Sequence, residues 1–262
     1  MICLILKASK KYSSMKYNDL FIKARAFKDL SIVKNSNLKG VGISILSLQD
    51  YVPENLKIYL SEKEIAYSNH RLASMLGRYA GKIATREALK KDIPWQEMNI
   101  LPSSTSQPIL SGLDNDPEFR NISLSITHED DLVVSIAAYA DKLSRIAVGI
   151  DATKICRLIE VVRTQPKVLS KILTEKEMEM MKEEKDAAYI WAGKEAVSKA
   201  LGIGVWHGGS LQEIEVLNVK AKPEVVLKGK TLKIAKDKNL KHWSLDFIEN
   251  EKYILAMVVA MG

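Results

Sequence analysis

The apolar positions of this 262-residue chain fall into one series of elements that occurs twice. In the first series an apolar run at 41–46 predicts a strand. A polar-flanked helix then opens at Ser61, with Glu64 three residues later, and a longer helix follows over 70–90. Next come a strand at 96–101, an edge segment near Pro108, and a hairpin of 121–127 with 131–140 turning through "HEDD". The second series repeats this order: a strand at 147–152, a helix opening at Thr174 with Glu177, a long helix over 186–201, a strand at 212–217, an edge segment near Pro223, and a hairpin of 242–248 with 252–260 turning through "ENEK". Ser or Thr followed three residues later by Glu is the capping-box pattern. Proline suits a sheet edge because it has no N–H to donate. The Ser-, Gly- and Pro-containing stretch 102–117 reads as a loop holding an edge strand.

Residue identities support duplication rather than coincidence. "GVGISILSL" (40–48) resembles "AVGIDATKI" (147–155), and "YLSEKE" (59–64) resembles "ILTEKE" (172–177). "YAGKIATREAL" (79–89) resembles "WAGKEAVSKAL" (191–201), and "WQEMNIL" (95–101) resembles "LQEIEVL" (211–217). "SLSITHEDDLVVSIAA" (123–138) aligns without gaps onto "SLDFIENEKYILAMVV" (244–259). The order is conserved and the offset grows from 107 to 121. The fold class expected is α+β, built from two duplicated subdomains, 40–140 and 147–262. The short linker 141–146 favours a tight pseudo-twofold pair over independent beads.

Composition adds little until it is divided along the chain. Hydrophobic and charged fractions of 47% and 27% are ordinary for a globular protein. The net charge of +7 resides in residues 1–39, with nine basic groups against two acidic; the remainder is neutral. This basic arm reads as a solvated leader, an organelle address, or a contact for an acidic partner. Two cysteines and four scattered histidines form no metal motif or disulfide framework. A neutral body without a basic stripe argues against nucleic-acid binding. No apolar run is long enough for a membrane span, so a cytoplasmic protein is expected, or an imported one if the arm is an address.

Positions at which the halves diverge in chemistry suggest a site. Asp151 matches Ser44, and Glu195 matches Ile83; conversely, His128 matches Glu249, and Thr127 matches Ile248. Each half holds what the other lacks, which predicts one composite site. Asp151 either caps a turn with Thr153 and Lys154 or binds a ligand, since a lone carboxylate beside a buried strand is costly. Two carboxylates near lysines suit a hard divalent cation held with a phosphate.

Gly149-Ile150-Asp151, the helix Trp191-Ala192-Gly193-Lys194-Glu195-Ala196-Val197-Ser198-Lys199, and the upstream strand Ser125-Ile126-Thr127-His128 together resemble the 4′-phosphopantetheinyl transferase superfamily. The resemblance covers about residues 40–262 and is similar to the large pseudo-dimeric monomeric type. It implies a transferase that takes coenzyme A and an apo acyl or peptidyl carrier protein. The phosphopantetheine arm would pass to a carrier serine, as in fatty-acid, polyketide or peptide synthesis, and adenosine 3′,5′-bisphosphate would leave. Asp151 and Glu195 would hold Mg²⁺ or Mn²⁺, with Glu195 also the base. Lys199, and more weakly Lys194, would reach phosphates. His128, Thr127, Gln107 and Pro108 would bind coenzyme A, and Arg71 and Arg78 its 3′-phosphate.

Two departures from the family pattern bear on this. Many members carry an acid two residues after the Asp, where this chain has Thr153; some eukaryotic-type members that lack it use the residue after the His, so the resemblance implies Glu129 as the third metal ligand. The family's Gly-Lys-Pro reads Ser106-Gln107-Pro108 here, without the charge. These losses motivate an alternative, a non-catalytic binder of carrier or coenzyme A. The "VWHGG" run (205–209) is expected to form a loop on the carrier-facing rim.

Overall fold

The computed structural model describes residues 17, 19–20, 38–112, 121–141, 144–203 and 211–262. Most of the basic arm and the rim loop with Trp206 therefore lie outside the described residues. The chain divides into two compact units, 1–144 and 145–262.

In the first unit the order is β1 (Leu38–Ser47), α1 (Pro53–Leu56), α2 (Glu62–Ser68), α3 (Leu72–Leu89), β2 (Asn99–Pro102), β3 (Pro108–Ser111), β4 (Ile122–Glu129) and β5 (Leu132–Ala140). Strand β5 lies centrally between β1 and β4, antiparallel to both, and β2 pairs with β3. Helix α3 covers β1 and β5. It starts two residues later than the pattern suggests, because Asn69 and His70 both take left-handed backbone (φ 46° and 55°). Hydrophobic burial of Leu46, Met75, Leu76, Ala80 and Val133 holds helix and sheet together.

The second unit repeats this plan: β6 (Ile146–Lys154), α4 (Ile155–Thr164), α5 (Pro166–Ile172), α6 (Glu175–Met180), α7 (Asp186–Leu201), β7 (Ile214–Leu217), β8 (Glu224–Leu227), α8 (Gly229–Asp237), β9 (His242–Glu249) and β10 (Tyr253–Met261). Here β10 is central between β6 and β9, and α7 lies on β6 and β10. Helices α4, α5 and α8 were not expected from the repeat. For α4 the signal was present: Ile155, Leu158, Ile159 and Val162 recur at helical spacing. No helix among the described residues is long and apolar enough to cross a membrane.

Each unit is tied by the same buried ion pair. Lys82 on α3 is fully buried and donates to Glu64 Oε2 (2.6 Å), Tyr59 O (2.9 Å) and Trp95 O (2.8 Å). Glu64 completes the capping box with Ser61, and its Oε1 accepts the Ile100 N–H at 2.8 Å. Lys194 on α7 likewise donates to Glu177 Oε2 (2.7 Å), Ile172 O and Leu211 O (both 2.9 Å). Glu177 caps with Thr174 and accepts the Val216 N–H at 2.8 Å. One carboxylate thus starts a short helix, anchors the next strand and neutralises a lysine. This shortens the strands expected at 96–101 and 212–217. Trp95–Glu97 and Leu211–Glu213 form 3₁₀ turns instead, because the Trp95 and Leu211 carbonyls point to lysines rather than to a neighbouring strand.

Close backbone approach joins the long helices to their sheets. A Cβ on Gly149 would lie 1.8 Å from the Ala196 carbonyl oxygen; on Gly42 it would lie 1.9 Å from that of Ala84. Only glycine allows this contact, and in the second unit it sets α7 against the strand that carries Asp151.

Part of the basic arm packs into the first unit. Tyr17 and Leu20 are buried, and the Tyr17 hydroxyl donates to Asp131 Oδ1 at 2.6 Å in the β4–β5 turn. Ser47 Oγ donates to Asp131 Oδ2 at 3.1 Å. The solvated-leader reading does not hold at Tyr17 and Leu20, because their side chains are removed from water.

Candidate active site

In the second unit Asp151 is the sixth residue of the nine in β6, not a strand-end cap. The expected turn with Thr153 and Lys154 is absent because the β10 ladder continues through Lys154, which faces Tyr253. The Asp151 side chain is nearly buried. Lys199 Nζ donates to its Oδ1 at 2.8 Å and to the Ile150 carbonyl at 2.9 Å. Thr153 Oγ1 donates to Oδ2 at 2.8 Å.

Glu195 lies one turn before Lys199 on α7, on the same face. Burial first, and then the nearby Asp151 charge, push its carboxyl up to about 7, with Lys199 and Arg157 opposing the shift. Two carboxylates side by side, only partly offset by Lys199 and Arg157, present a set of oxygen donors. That combination fits a hard divalent cation. Arg157, six residues after Asp151, was not singled out from the sequence, where it looks like an ordinary helix-surface charge.

One sequence expectation changes here. Lys194 cannot reach phosphates: its ammonium is fully buried and its three donors are satisfied by Glu177, Ile172 and Leu211. Glu129 belongs to β4 in the other unit. Among the described residues no group of three or more His, Cys, Asp or Glu side chains is placed to hold a metal ion.

The first unit contains a cavity of about 500 Å³, within the size range of small-ligand sites. Arg71, Arg78, Ser74, Tyr67, Pro108 and His128 line it, at the N-terminal end of the 18-residue helix α3. Arg71 is the N-cap residue, no side chain caps the helix, and its first turn has no acid. Uncapped N–H groups and the positive helix end favour an anion. Arg78 donates from Nη1 to Ser74 O and Oγ, both at 2.8 Å, and its guanidinium lies 4.6 Å from the Tyr67 ring centroid. Its Nε is buried without a partner, and burial lowers the guanidinium below its ordinary value.

The cavity gathers Arg71, Arg78, Pro108 and His128, but not Thr127 or Gln107. Strand alternation turns Thr127 to the opposite face of β4 from Ile126 and His128, where it is buried. Gln107 closes the turn 103–107, its N–H donating to Ser103 Oγ at 3.1 Å, and Ser106 lines the cavity in its place. Under the repeat alignment Arg71, Ser74 and His128 correspond to Glu183, Asp186 and Glu249. Those acids are already engaged: Lys220 pairs with Glu183 and Asp186, and Lys185 and Tyr189 with Glu249. The second unit thus satisfies internally the place that the first leaves cationic.

The family model described as "4′-phosphopantetheinyl transferase superfamily" matches residues 147–258. A holo-[acyl-carrier-protein] synthase of Caldanaerobacter subterraneus subsp. tengcongensis is 38% identical over 122 residues, spanning 45% of this chain and 95% of the relative. One from Hydrogenovibrio crunogenus is 32% identical over 121 residues, spanning 44% and 95%. Among solved structures, the Helicobacter pylori holo-[acyl-carrier-protein] synthase in complex with coenzyme A is 28% identical, covering 43% of this chain and 98% of that one, with a TM-score of 0.39.

Proposed function

The chain belongs to the 4′-phosphopantetheinyl transferase superfamily, and we propose that it transfers the 4′-phosphopantetheine arm of coenzyme A to a serine of an apo acyl or peptidyl carrier protein. The observation that carries this reading is the buried Asp151 beside the half-buried Glu195, with Lys199 bonded to the Asp151 carboxylate, within the segment the family model matches. In this reading Asp151 and Glu195 hold Mg²⁺ or Mn²⁺, which when bound neutralises charge on the coenzyme A pyrophosphate. Lys199 steadies Asp151 and adds positive charge beside the phosphates. Glu195 accepts the proton of the carrier serine, directly or through a water. The serine Oγ–P bond forms at the β-phosphorus as the bridging P–O bond breaks. The electron pair of that bond leaves with adenosine 3′,5′-bisphosphate.

Arg71, Arg78 and His128 are proposed to bind coenzyme A phosphates, with Pro108 against the ligand. A monomer with its halves paired about a pseudo-twofold axis belongs to the same proposal, as does cytoplasmic location. Glu129→Gln tests the remaining candidate ligand, which an unchanged Mg²⁺ dependence removes.

The decisive experiment incubates the protein with coenzyme A, Mg²⁺ and apo carriers from fatty-acid, polyketide and peptide synthases, then weighs the carriers. A carrier should gain one phosphopantetheine with wild type and none with Glu195→Gln. No gain on any carrier refutes the transferase and leaves a non-catalytic binder.

A further inference from the structure

We infer that Thr153 is a positioning residue: its hydroxyl fixes the rotation of the Asp151 carboxylate and thereby sets the affinity of the Asp151–Glu195 pair for a divalent cation. This rests on the proposal that the pair holds such a cation. Asp151 and Thr153 face Ala256 and Ile254 across the β6–β10 ladder, and two-residue spacing on a strand puts both side chains on one face. Thr153 has no exposed surface. A carboxylate only accepts hydrogen bonds when ionised, so the single hydroxyl proton of Thr153 is the donor to Oδ2 at 2.8 Å. Lys199 holds Oδ1 at 2.8 Å. Thr153 and Lys199 thus hold the two oxygens from two directions. An aspartate otherwise rotates broadly about its terminal torsion; here rotation breaks both bonds. Removing a partner that orients a ligating side chain typically costs about 10–100-fold in metal affinity.

The duplicated half supplies the control. Asp151 and Thr153 correspond to Ser44 and Leu46. Leu46 is also without exposed surface, and Ser44 Oγ donates to the Ala80 carbonyl at 2.8 Å. Where the fold asks only for packing, the position is apolar. The hydroxyl occurs in the half that has the carboxylate.

The test is Mn²⁺ binding by electron paramagnetic resonance without coenzyme A, with thermal unfolding in EDTA as the control for folding. Thr153→Val keeps the shape and removes the donor; Thr153→Ser keeps the donor. Val should weaken Mn²⁺ binding roughly tenfold or more while Ser stays near wild type. Should Val not fold, Thr153→Ser and Thr153→Ala differ only by the hydroxyl and should show the same contrast. A folded Val or Ala variant that binds Mn²⁺ within about twofold of its hydroxyl-bearing counterpart overturns the role of Thr153 alone. A wild type that binds no Mn²⁺, or binds it equally well as Asp151→Asn, overturns the cation reading and this inference with it.

Discussion

Glu195→Gln should stabilise the metal-free protein at alkaline pH while abolishing transfer. The Glu195 carboxyl is pushed from 4.5 to about 7 by burial and by Asp151. Between those values the folded state holds a proton that the unfolded state has released. Stability therefore falls as pH rises through this window and is flat on either side. At about 1.4 kcal/mol per pKa unit this displacement gives an upper bound of about 3 kcal/mol. Glutamine carries no charge and avoids this cost. Urea unfolding in EDTA should show the variant more stable by up to about 3 kcal/mol at pH 8, and by less than about 1 kcal/mol at pH 5. Equal changes at the two pH values would refute the raised Glu195 carboxyl. Excess Mg²⁺ should narrow the gap at pH 8 by stabilising wild type, since a ligand bound only by the native state shifts unfolding by mass action.

Three other perturbations separate structure from binding. Lys194→Met strands Glu177 as a buried charge and should cost about 3–5 kcal/mol in unfolding experiments, with the KM for coenzyme A unchanged in whatever folds. Arg78→Gln should raise the KM for coenzyme A roughly tenfold with little change in kcat, by losing a charge-assisted contact. The same variant should barely affect 3′-dephospho-coenzyme A, and an equal loss with both substrates would move Arg78 off the 3′-phosphate. Tyr17→Phe removes the hydrogen bond to Asp131 and should lower stability by about 1.5 kcal/mol in denaturant titration; no change would place Tyr17 outside the cooperative fold.

The capping boxes at Ser61 and Thr174, the long helices and both terminal hairpins were legible because each is a local pattern that packing then reinforces. The comparison of the halves also marked Glu195 and Lys199 without any structure, since a helix asked only to pack carries Ile83 and Glu87 there. Lys194 was misread for the same reason that it matters. It stands beside Glu195 in a charged motif, yet its twin Lys82 was the better guide: a lysine kept in both halves serves the shared packing, and both are buried on capping glutamates.

The sequence by itself determined the duplicated α+β plan, the neutral body with its basic arm, and the identity of the carboxylate pair, because these depend on period, capping and residue type along the chain. Tertiary structure decided which groups are available to a ligand. It sealed Lys194 in the core, turned Thr127 away from His128, joined Arg71, Arg78 and His128 around one cavity, and set Thr153 and Lys199 on the two oxygens of Asp151. Availability follows from which face a side chain takes and what fills the space opposite it, and those partners lie tens of residues away: Lys199 meets Asp151 from 48 positions down the chain.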